Sequence, residues 1–154
     1  MAVPPWHETQ GQRVHRQASI AASVHLWRRD TYTRGSTEAV VGHHLQCFGA
    51  GDLEGILADY TADSVLCTPT GVLRGPQGMT PFFQATFAEF AKPGMSFTMQ
   101  RQTFEGEVAH IIWNAETADN VYELGTDTFV VRDGKIVAQT YAAKATPKSQ
   151  AMRF

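Results

Sequence analysis

The sequence is short of cysteine, of excess charge and of long apolar runs. Its two cysteines, Cys47 and Cys67, lack the spacing of a zinc site and could form at most one disulfide, so we expect reduced thiols in a cytoplasmic protein. The formal net charge is −2 and the pI is about 6.3, which provides no basic field for nucleic acid. The longest apolar run near the N-terminus, residues 19–27, is far shorter than the roughly 20 residues that cross a bilayer. We therefore expect neither a nucleic-acid partner nor a membrane span.

Metal-binding and nucleotide-binding motifs are also missing. Six histidines are present, but His43 and His44 are adjacent on a predicted helix and cannot both face one ion, and the others lack ligand spacing. The glycines at Gly49 and Gly51 follow a helix rather than a strand, so they lack the context of a dinucleotide-binding loop. The sequence therefore predicts no metal site and no cofactor.

The composition suits one folded domain. The chain has 154 residues, of which 43% are hydrophobic, enough for a core without metal or disulfide support. Residues 1–35 contain five arginines and two acidic residues, a net charge of +3, whereas the rest of the chain carries −5. We expect residues 1–35 to form a basic extension, disordered or loosely helical, although such a composition also resembles an organelle transit peptide. The folded domain is predicted at residues 36–147, with a short tail at residues 148–154.

Three helices are predicted in the first half of this domain. Ser36 can cap a first helix, which has a broad apolar stripe and ends at glycines. Asp52 can cap a short second helix whose apolar positions, spaced as one helical face, run up to Tyr60. A third helix begins near Pro76, and we expect a kink or a separate first turn at Pro81.

The rest of the domain carries strand patterns. One short strand and a brief extended segment precede the third helix, and four longer strands follow it. They are predicted at residues 64–68, 72–74, 95–105, 108–115, 120–132 and 135–143. Helices followed by antiparallel strands indicate an α+β domain. We expect the helices to pack on one face of a strongly curved, mostly antiparallel sheet whose concave side encloses a pocket.

Short segments spread along the predicted domain resemble the SnoaL-like branch of the NTF2-like superfamily. They are Gly51-Asp52-Leu53-Glu54, Tyr60-Thr61-Ala62-Asp63-Ser64-Val65, Thr68-Pro69-Thr70-Gly71, Leu73-Arg74-Gly75 and Asp127-Thr128-Phe129-Val130-Val131-Arg132-Asp133-Gly134-Lys135-Ile136. The resemblance covers about residues 36–147 and implies a cone-shaped fold with three N-terminal helices. This superfamily includes ketosteroid isomerase, limonene epoxide hydrolase, polyketide cyclases and scytalone dehydratase, besides non-catalytic members. The resemblance therefore implies a fold more specifically than a reaction.

The resemblance to ketosteroid isomerase assigns three positions of the predicted pocket. It places His44 at the position of that enzyme's oxyanion-hole tyrosine, Thr68 at that of its aspartate base and Asp127 at that of its protonated aspartate. A threonine cannot accept a proton from carbon at neutral pH, so the isomerase mechanism is not supported. The arginine and two aspartates of limonene epoxide hydrolase are not found either. His44 and Asp127 are therefore the candidate catalytic residues.

Strand alternation adds candidates for substrate contact. If Asp127 faces the pocket, a period of two places Glu123 and Phe129 on the same face. In the preceding strand, residues 108–115, either His110 or Trp113 faces the pocket, because the loop length does not determine which alternate residues of that strand face inward. The candidates from other elements are Tyr60, Thr68, Phe82, Phe83, Gln139 and Tyr141.

These candidates also have structural explanations. His44 could be a core histidine that donates to a backbone carbonyl, and Asp127 could be held by hydrogen bonds within the sheet. Glu123 could lie at the solvated rim. The outer face of the strand at residues 120–132 is half apolar and uncharged, which predicts a homodimer through the convex side of the sheet.

Two functions remain open. The first is a cofactor-independent isomerase, dehydratase, hydratase or cyclase-type enzyme, in which His44 and Asp127 act as an acid/base pair on a small apolar substrate with a carbonyl or hydroxyl group. The second is a non-catalytic ligand-binding or dimerisation module of the same fold. A pocket of a few hundred Å³ with both residues in its wall favours the enzyme or a ligand carrier, whereas a filled interior favours the module.

Overall fold

The computed structural model of the chain describes residues 33–148, so most of the predicted basic extension and nearly all of the predicted tail lie outside the described residues. The described part is an α+β fold. Its helices are α1 (Thr37–Ala50), α2 (Leu53–Leu57) and α3 (Gly75–Phe90). Its strands are β1 (Tyr60–Thr68), β2 (Gly71–Arg74), β3 (Ser96–Glu105), β4 (Val108–Glu116), β5 (Asn120–Arg132) and β6 (Lys135–Pro147).

Short polar residues cap the first two helices as predicted. The Ser36 hydroxyl accepts a hydrogen bond from the Ala39 amide at 3.2 Å. The Asp52 carboxylate accepts one from the Gly55 amide at 2.9 Å, which satisfies a donor that the helix itself leaves unpaired. Between these caps, Gly51 ends α1 with a left-handed φ of 64°.

One expectation about helix bounds was wrong. α2 ends at Leu57, and Tyr60 begins β1, where it pairs with Ile136 of β6. Tyr60, which the helical spacing had assigned to α2, is therefore a strand residue. Pro81 lies inside α3, which is one continuous helix of 16 residues, so of the two alternatives expected there the separate first turn is not found.

The six strands form one mixed sheet in the order β2-β1-β6-β5-β4-β3. The pair of β1 with β6 is parallel, and the other four pairs are antiparallel, so the expected mostly antiparallel sheet is confirmed. The strong curvature is not found. The sheet is open, because its edge strands β2 and β3 do not pair with each other.

A β-bulge at Glu123 changes which side chains of β5 face the helices. Tyr122 pairs with Ala145, and Leu124 pairs with Lys144, the very next residue back along β6, so Glu123 is the extra residue. Consequently Tyr122 is buried, whereas Glu123 is exposed. Beyond the bulge, the alternation deduced from Asp127 holds.

The helices and the inner face of the sheet enclose the core. α1 contacts β4 and β5, and α3 contacts β1 and β2. The fully buried side chains Val41, Ile56, Leu66, Met79 and Phe129 come from both layers. No helix among residues 33–148 combines the length and the apolar content needed to cross a membrane. No disulfide joins the two cysteines.

Candidate functional site

A cavity of about 90 Å³ lies between the helices and the inner face of the sheet. Its volume corresponds to roughly three water molecules. Nine aromatic side chains contribute to its wall, together with His44, Thr86, Asp127 and Gln139. The cavity is therefore mostly apolar, with a few polar groups at fixed places.

Asp127 is the acidic residue of the cavity wall. Its side chain extends from β5, and the residue is only 9% exposed. The Trp113 indole N–H donates to Oδ2 at 2.8 Å, and the Gln139 amide N–H donates to Oδ1 at 3.0 Å. Burial raises the pKa of Asp127 from 3.8 to about 6, although both hydrogen bonds and His110 act in the opposite direction. Asp127 therefore changes its charge close to neutral pH.

A chain of polar side chains connects Asp127 to His44. The Gln139 amide that donates to Asp127 also accepts a hydrogen bond from the Tyr60 hydroxyl through its Oε1. The Tyr60 oxygen lies 3.5 Å from Nδ1 of His44. The Tyr60 hydroxyl has one proton, which it donates to Gln139. In the contact between Tyr60 and His44 the donor is therefore the N–H at Nδ1 of His44. No direct hydrogen bond joins His44 to Asp127.

His44 is buried among aromatic rings. Only 4% of the residue is exposed, and its ring makes edge contacts with Tyr60, Phe83 and Phe129, the closest at a centroid distance of 5.0 Å. Burial and, to a smaller extent, the neighbouring His43 lower the pKa of His44 from 6.5 to about 3. The imidazole is therefore neutral at neutral pH and cannot act there as a cationic acid.

Tyr141 brings a hydroxyl group to the cavity from β6. Its ring lies nearly parallel to the Trp113 indole, with an interplanar angle of 8° and a centroid distance of 6.4 Å. Burial, Asp127 and Glu89 raise the pKa of Tyr141 to about 12, so the hydroxyl keeps its proton. Within residues 33–148 the hydroxyl makes no hydrogen bond, which leaves it able to donate to a ligand.

Most of the predicted site residues come together. His44, Phe82, Phe83, Trp113, Asp127, Phe129, Gln139 and Tyr141 all line the cavity. Tyr60 lies behind this wall, where it joins Gln139 to His44. The open question about β4 is answered, because Trp113 is on the cavity side.

Three predicted site residues lie elsewhere. The Thr68 hydroxyl donates to the Gly71 carbonyl at 3.0 Å and so stabilises the turn after β1. His110 lies on the opposite face of β4 from Trp113, because successive residues of a strand point to opposite faces. Glu123, at the bulge, forms an exposed ion pair with Lys144 at 2.7 Å.

Several residues of the cavity wall were not predicted as site residues. A strict period of two counted from Asp127 would place Tyr122 on the outer face, because alternation cannot reveal the bulge at Glu123. Phe48 and Phe90 belong to apolar helix stripes, which indicate burial but do not distinguish a core from a cavity wall. The others are Leu45, Thr86, Phe97 and Ile111.

Residues 33–148 contain no cluster of three or more histidine, cysteine, aspartate or glutamate side chains that could bind a metal ion. Separately, the cavity wall offers the titrating carboxyl group of Asp127, the hydroxyl group of Tyr141 and the neutral imidazole of His44.

Comparisons with solved structures identify the fold. A candidate ketosteroid isomerase from Kribbella flavida has a TM-score of 0.58 and 20% identity, over 70% of this chain and 77% of its own. IdmH, a candidate polyketide cyclase from Streptomyces antibioticus, has a TM-score of 0.60 and 21% identity, over 70% of this chain and 91% of its own. An NTF2-like protein of unknown function from Cytophaga hutchinsonii has a TM-score of 0.58 and 9% identity, over 75% of this chain and 95% of its own.

At these identities the structural similarity establishes the NTF2-like fold alone. None of the curated proteins compared with the chain matches it significantly in sequence. The family model described as the SnoaL-like domain matches residues 41–139, which is more than half of the chain and includes His44, Asp127 and Gln139. The chain therefore belongs to the SnoaL-like domain family.

Proposed function

We propose that the protein is a cofactor-independent enzyme that moves a proton at a carbon next to a carbonyl group, with Asp127 as the acid/base residue. This step is common to isomerisation, elimination of water from a β-hydroxy ketone and aldol-type cyclisation. The observation that carries the proposal is the buried Asp127 carboxyl in an aromatic cavity wall, with a pKa of about 6. A base is most effective when its pKa lies close to the working pH.

The neighbours of Asp127 support this role. Trp113 and Gln139 each donate to one carboxylate oxygen, so the orientation of the group is fixed before a substrate enters. The Tyr141 hydroxyl has a proton to donate to the substrate oxygen, on which negative charge develops when the neighbouring carbon loses its proton. The sequence had suggested His44 as the second member of an acid/base pair. Because the pKa of His44 is about 3, we assign His44 a structural role instead. It holds Tyr60 in place, and Tyr60 in turn holds Gln139.

The aromatic cavity wall indicates the substrate class. Phenyl, indole and phenol rings favour an apolar molecule, and the site has no cationic side chain in its wall to bind a carboxylate or a phosphate. We therefore propose a small, neutral, largely apolar ketone or hydroxy ketone as the substrate.

Hydrogen exchange tests the proposal. Small cyclic ketones such as 2-tetralone are incubated in D₂O with the protein, and loss of the protons next to the carbonyl is followed by proton NMR. We expect the wild-type protein to accelerate exchange, with a rate that rises through a pH of about 6. Asp127→Asn should lower the acceleration by at least about 100-fold, the usual contribution of a positioned general base. Asp59→Asn is the matched control, because Asp59 is also buried but is not part of the cavity wall.

A non-catalytic ligand-binding or dimerisation module is the second candidate, and the small volume of the cavity favours a role that needs no substrate-sized pocket. About 90 Å³ is below the roughly 300 Å³ at which ligand pockets usually begin. Ketones that quench tryptophan fluorescence without exchanging their protons support the module and contradict the enzyme. Exchange that persists unchanged in Asp127→Asn also contradicts the proposed role of Asp127.

We further propose that two copies of the chain associate through the outer face of the sheet. The helices pack against the inner face, so the outer face is left to the half-buried side chains of β4 and β5, among them Ile112, Thr128 and Val130. A cytoplasmic location, which the sequence suggested from its two reduced cysteines, remains a prediction.

A further inference from the structure

Gly125 lies directly beneath the indole ring of Trp113. The two residues are cross-strand partners in the pairing of β4 with β5. A Cβ atom at position 125 would lie 2.5 Å from Cδ2 of the indole and still closer to Cε2 and Cζ2. No real Cβ is found at such distances, so the indole can occupy this position only because residue 125 has no side chain.

Other rings prevent the indole from moving aside at low cost. Phe97 of β3 stacks on it at a centroid distance of 5.5 Å, and Tyr141 of β6 lies nearly parallel to it at 6.4 Å. Tyr122 contacts it at 5.7 Å. A side chain at position 125 would therefore displace the indole rather than share the space with it.

We propose that Gly125 is a positioning residue, which seats the Trp113 indole on β5 so that its N–H holds the Asp127 carboxyl group. The three residues then form one unit, in which Gly125 acts on Asp127 through Trp113 alone. This inference deepens the proposed function. It can be tested separately, because the ionisation of Asp127 is measurable without any substrate.

The test is a double-mutant cycle on the ionisation of Asp127. The pKa is measured by carbon-13 NMR of protein labelled at the aspartate carboxyl carbon, with the Asp127 signal assigned by its loss in Asp127→Asn. Trp113→Phe removes the N–H that favours the ionised carboxylate, so the pKa should rise by about one unit. Gly125→Ala should raise it by a similar amount, because the displaced indole no longer reaches Oδ2. The double variant should show the same rise and no more.

Stability provides a second readout, which remains usable where Gly125→Ala is poorly folded. We expect Gly125→Ala to be strongly destabilising in the wild-type protein and much less so beside Trp113→Phe, whose smaller ring leaves more room over β5. Gly78→Ala is the control, because a Cβ there meets no atom closer than 3.9 Å. An unchanged Asp127 pKa in Gly125→Ala, additive pKa shifts in the double variant, or equal destabilisation in both backgrounds would overturn the proposal. Absence of exchange activity in the wild-type protein, together with an intact pKa cycle, would count against the proposed function and leave the positioning role established.

Discussion

Burial acts in opposite directions on the pKa values of the two ionisable residues at opposite ends of the polar chain. It raises the pKa of Asp127 to about 6 and lowers that of His44 to about 3, so each is driven toward its neutral form. The groups that face Asp127 from the other elements are Tyr60, Tyr141 and, from the reverse side of β4, His110. Both tyrosines have raised pKa values and stay neutral. Asp127 is therefore the group of this wall whose charge changes near neutral pH.

Asp127→Asn should change how the stability of the protein depends on pH. The folded state holds the Asp127 proton more tightly than the unfolded chain, so this residue's contribution to stability is present below a pH of about 3.8 and is lost as the pH rises through about 6. The full loss is at most about 3 kcal/mol, because each pKa unit corresponds to about 1.4 kcal/mol. Relative to the wild-type protein, the asparagine variant should gain stability over this range.

Urea unfolding at several pH values measures this difference. Asp119→Asn, which alters an exposed aspartate paired with Lys92, is the control and should keep the wild-type pH profile. A stability difference between Asp127→Asn and the wild-type protein that is the same at pH values below 4 and above 7 would contradict the raised pKa of Asp127.

His44 should remain neutral in mildly acidic solution, with its hydrogen on Nδ1. Its pKa of about 3 predicts a neutral ring at about pH 5, and the Tyr60 proton donated to Gln139 predicts the Nδ1 tautomer. Long-range nitrogen-15 NMR of the histidine rings distinguishes the three forms, and His44→Gln assigns the signal. A charged ring at that pH, or hydrogen on Nε2, would show that the polar chain is connected differently.

The low pKa of His44 also affects stability. The contribution of His44 to the free energy of unfolding is lost as the pH falls from about 6.5 toward 3, whereas that of Asp127 is lost as the pH rises.

At the level of the elements, the sequence predicted the start of a helix correctly where one local interaction determines it. The caps at Ser36 and Asp52 locate the starts of α1 and α2, because a side-chain acceptor beside unpaired amides is a local feature. Tyr60 was misassigned because its place depends on Ile136, which is far away in the sequence. The bulge at Glu123 also depends on partner strands, and its one extra residue reverses the facing of the side chains on its N-terminal side, such as Tyr122, from that deduced from Asp127.

The beginning of α3 requires a glycine for a reason that the sequence pattern does not show. Gly75 has a left-handed φ of +65°, and a Cβ there would lie 2.8 Å from the Ala62 carbonyl oxygen of β1. Gly75→Ala should therefore destabilise the protein by about 2 kcal/mol or more, from backbone strain and from the close approach to β1. Gly78→Ala in the same helix should be neutral or stabilising by up to about 1 kcal/mol, because alanine favours helix and its Cβ would meet no atom closer than 3.9 Å, an ordinary van der Waals contact. Thermal unfolding of the two variants compares them directly. Equal effects would mean that the backbone at Gly75 adapts without strain.

On the scale of the whole molecule, the cavity is assembled by the sheet order. His44, Tyr60, Trp113, Asp127 and Gln139 come from α1 and four different strands, and the parallel pairing of β1 with β6 is what brings Tyr60 to Gln139. The family resemblance was sufficient to select His44 and Asp127 as wall residues. It could not reveal that Trp113 and Gln139 donate hydrogen bonds to the carboxylate. Each of these hydrogen bonds requires side chains of two neighbouring strands to face the same side of the sheet.

The proposed dimer is a prediction at this same scale. Ile112 lies on the outer face of β4, opposite Thr126 of β5, and is half buried although the helices pack on the inner face. A lysine at this position would place a charge in an interface of about 800 Å² per subunit, so Ile112→Lys should convert a dimer of twice 17.0 kDa into a monomer. Gln84→Lys, on the exposed side of α3, should leave the dimer intact. Size-exclusion chromatography with light scattering measures both masses. A wild-type protein that is monomeric at micromolar concentration, or an Ile112→Lys variant that stays dimeric, would show that the outer face of the sheet is not the contact surface.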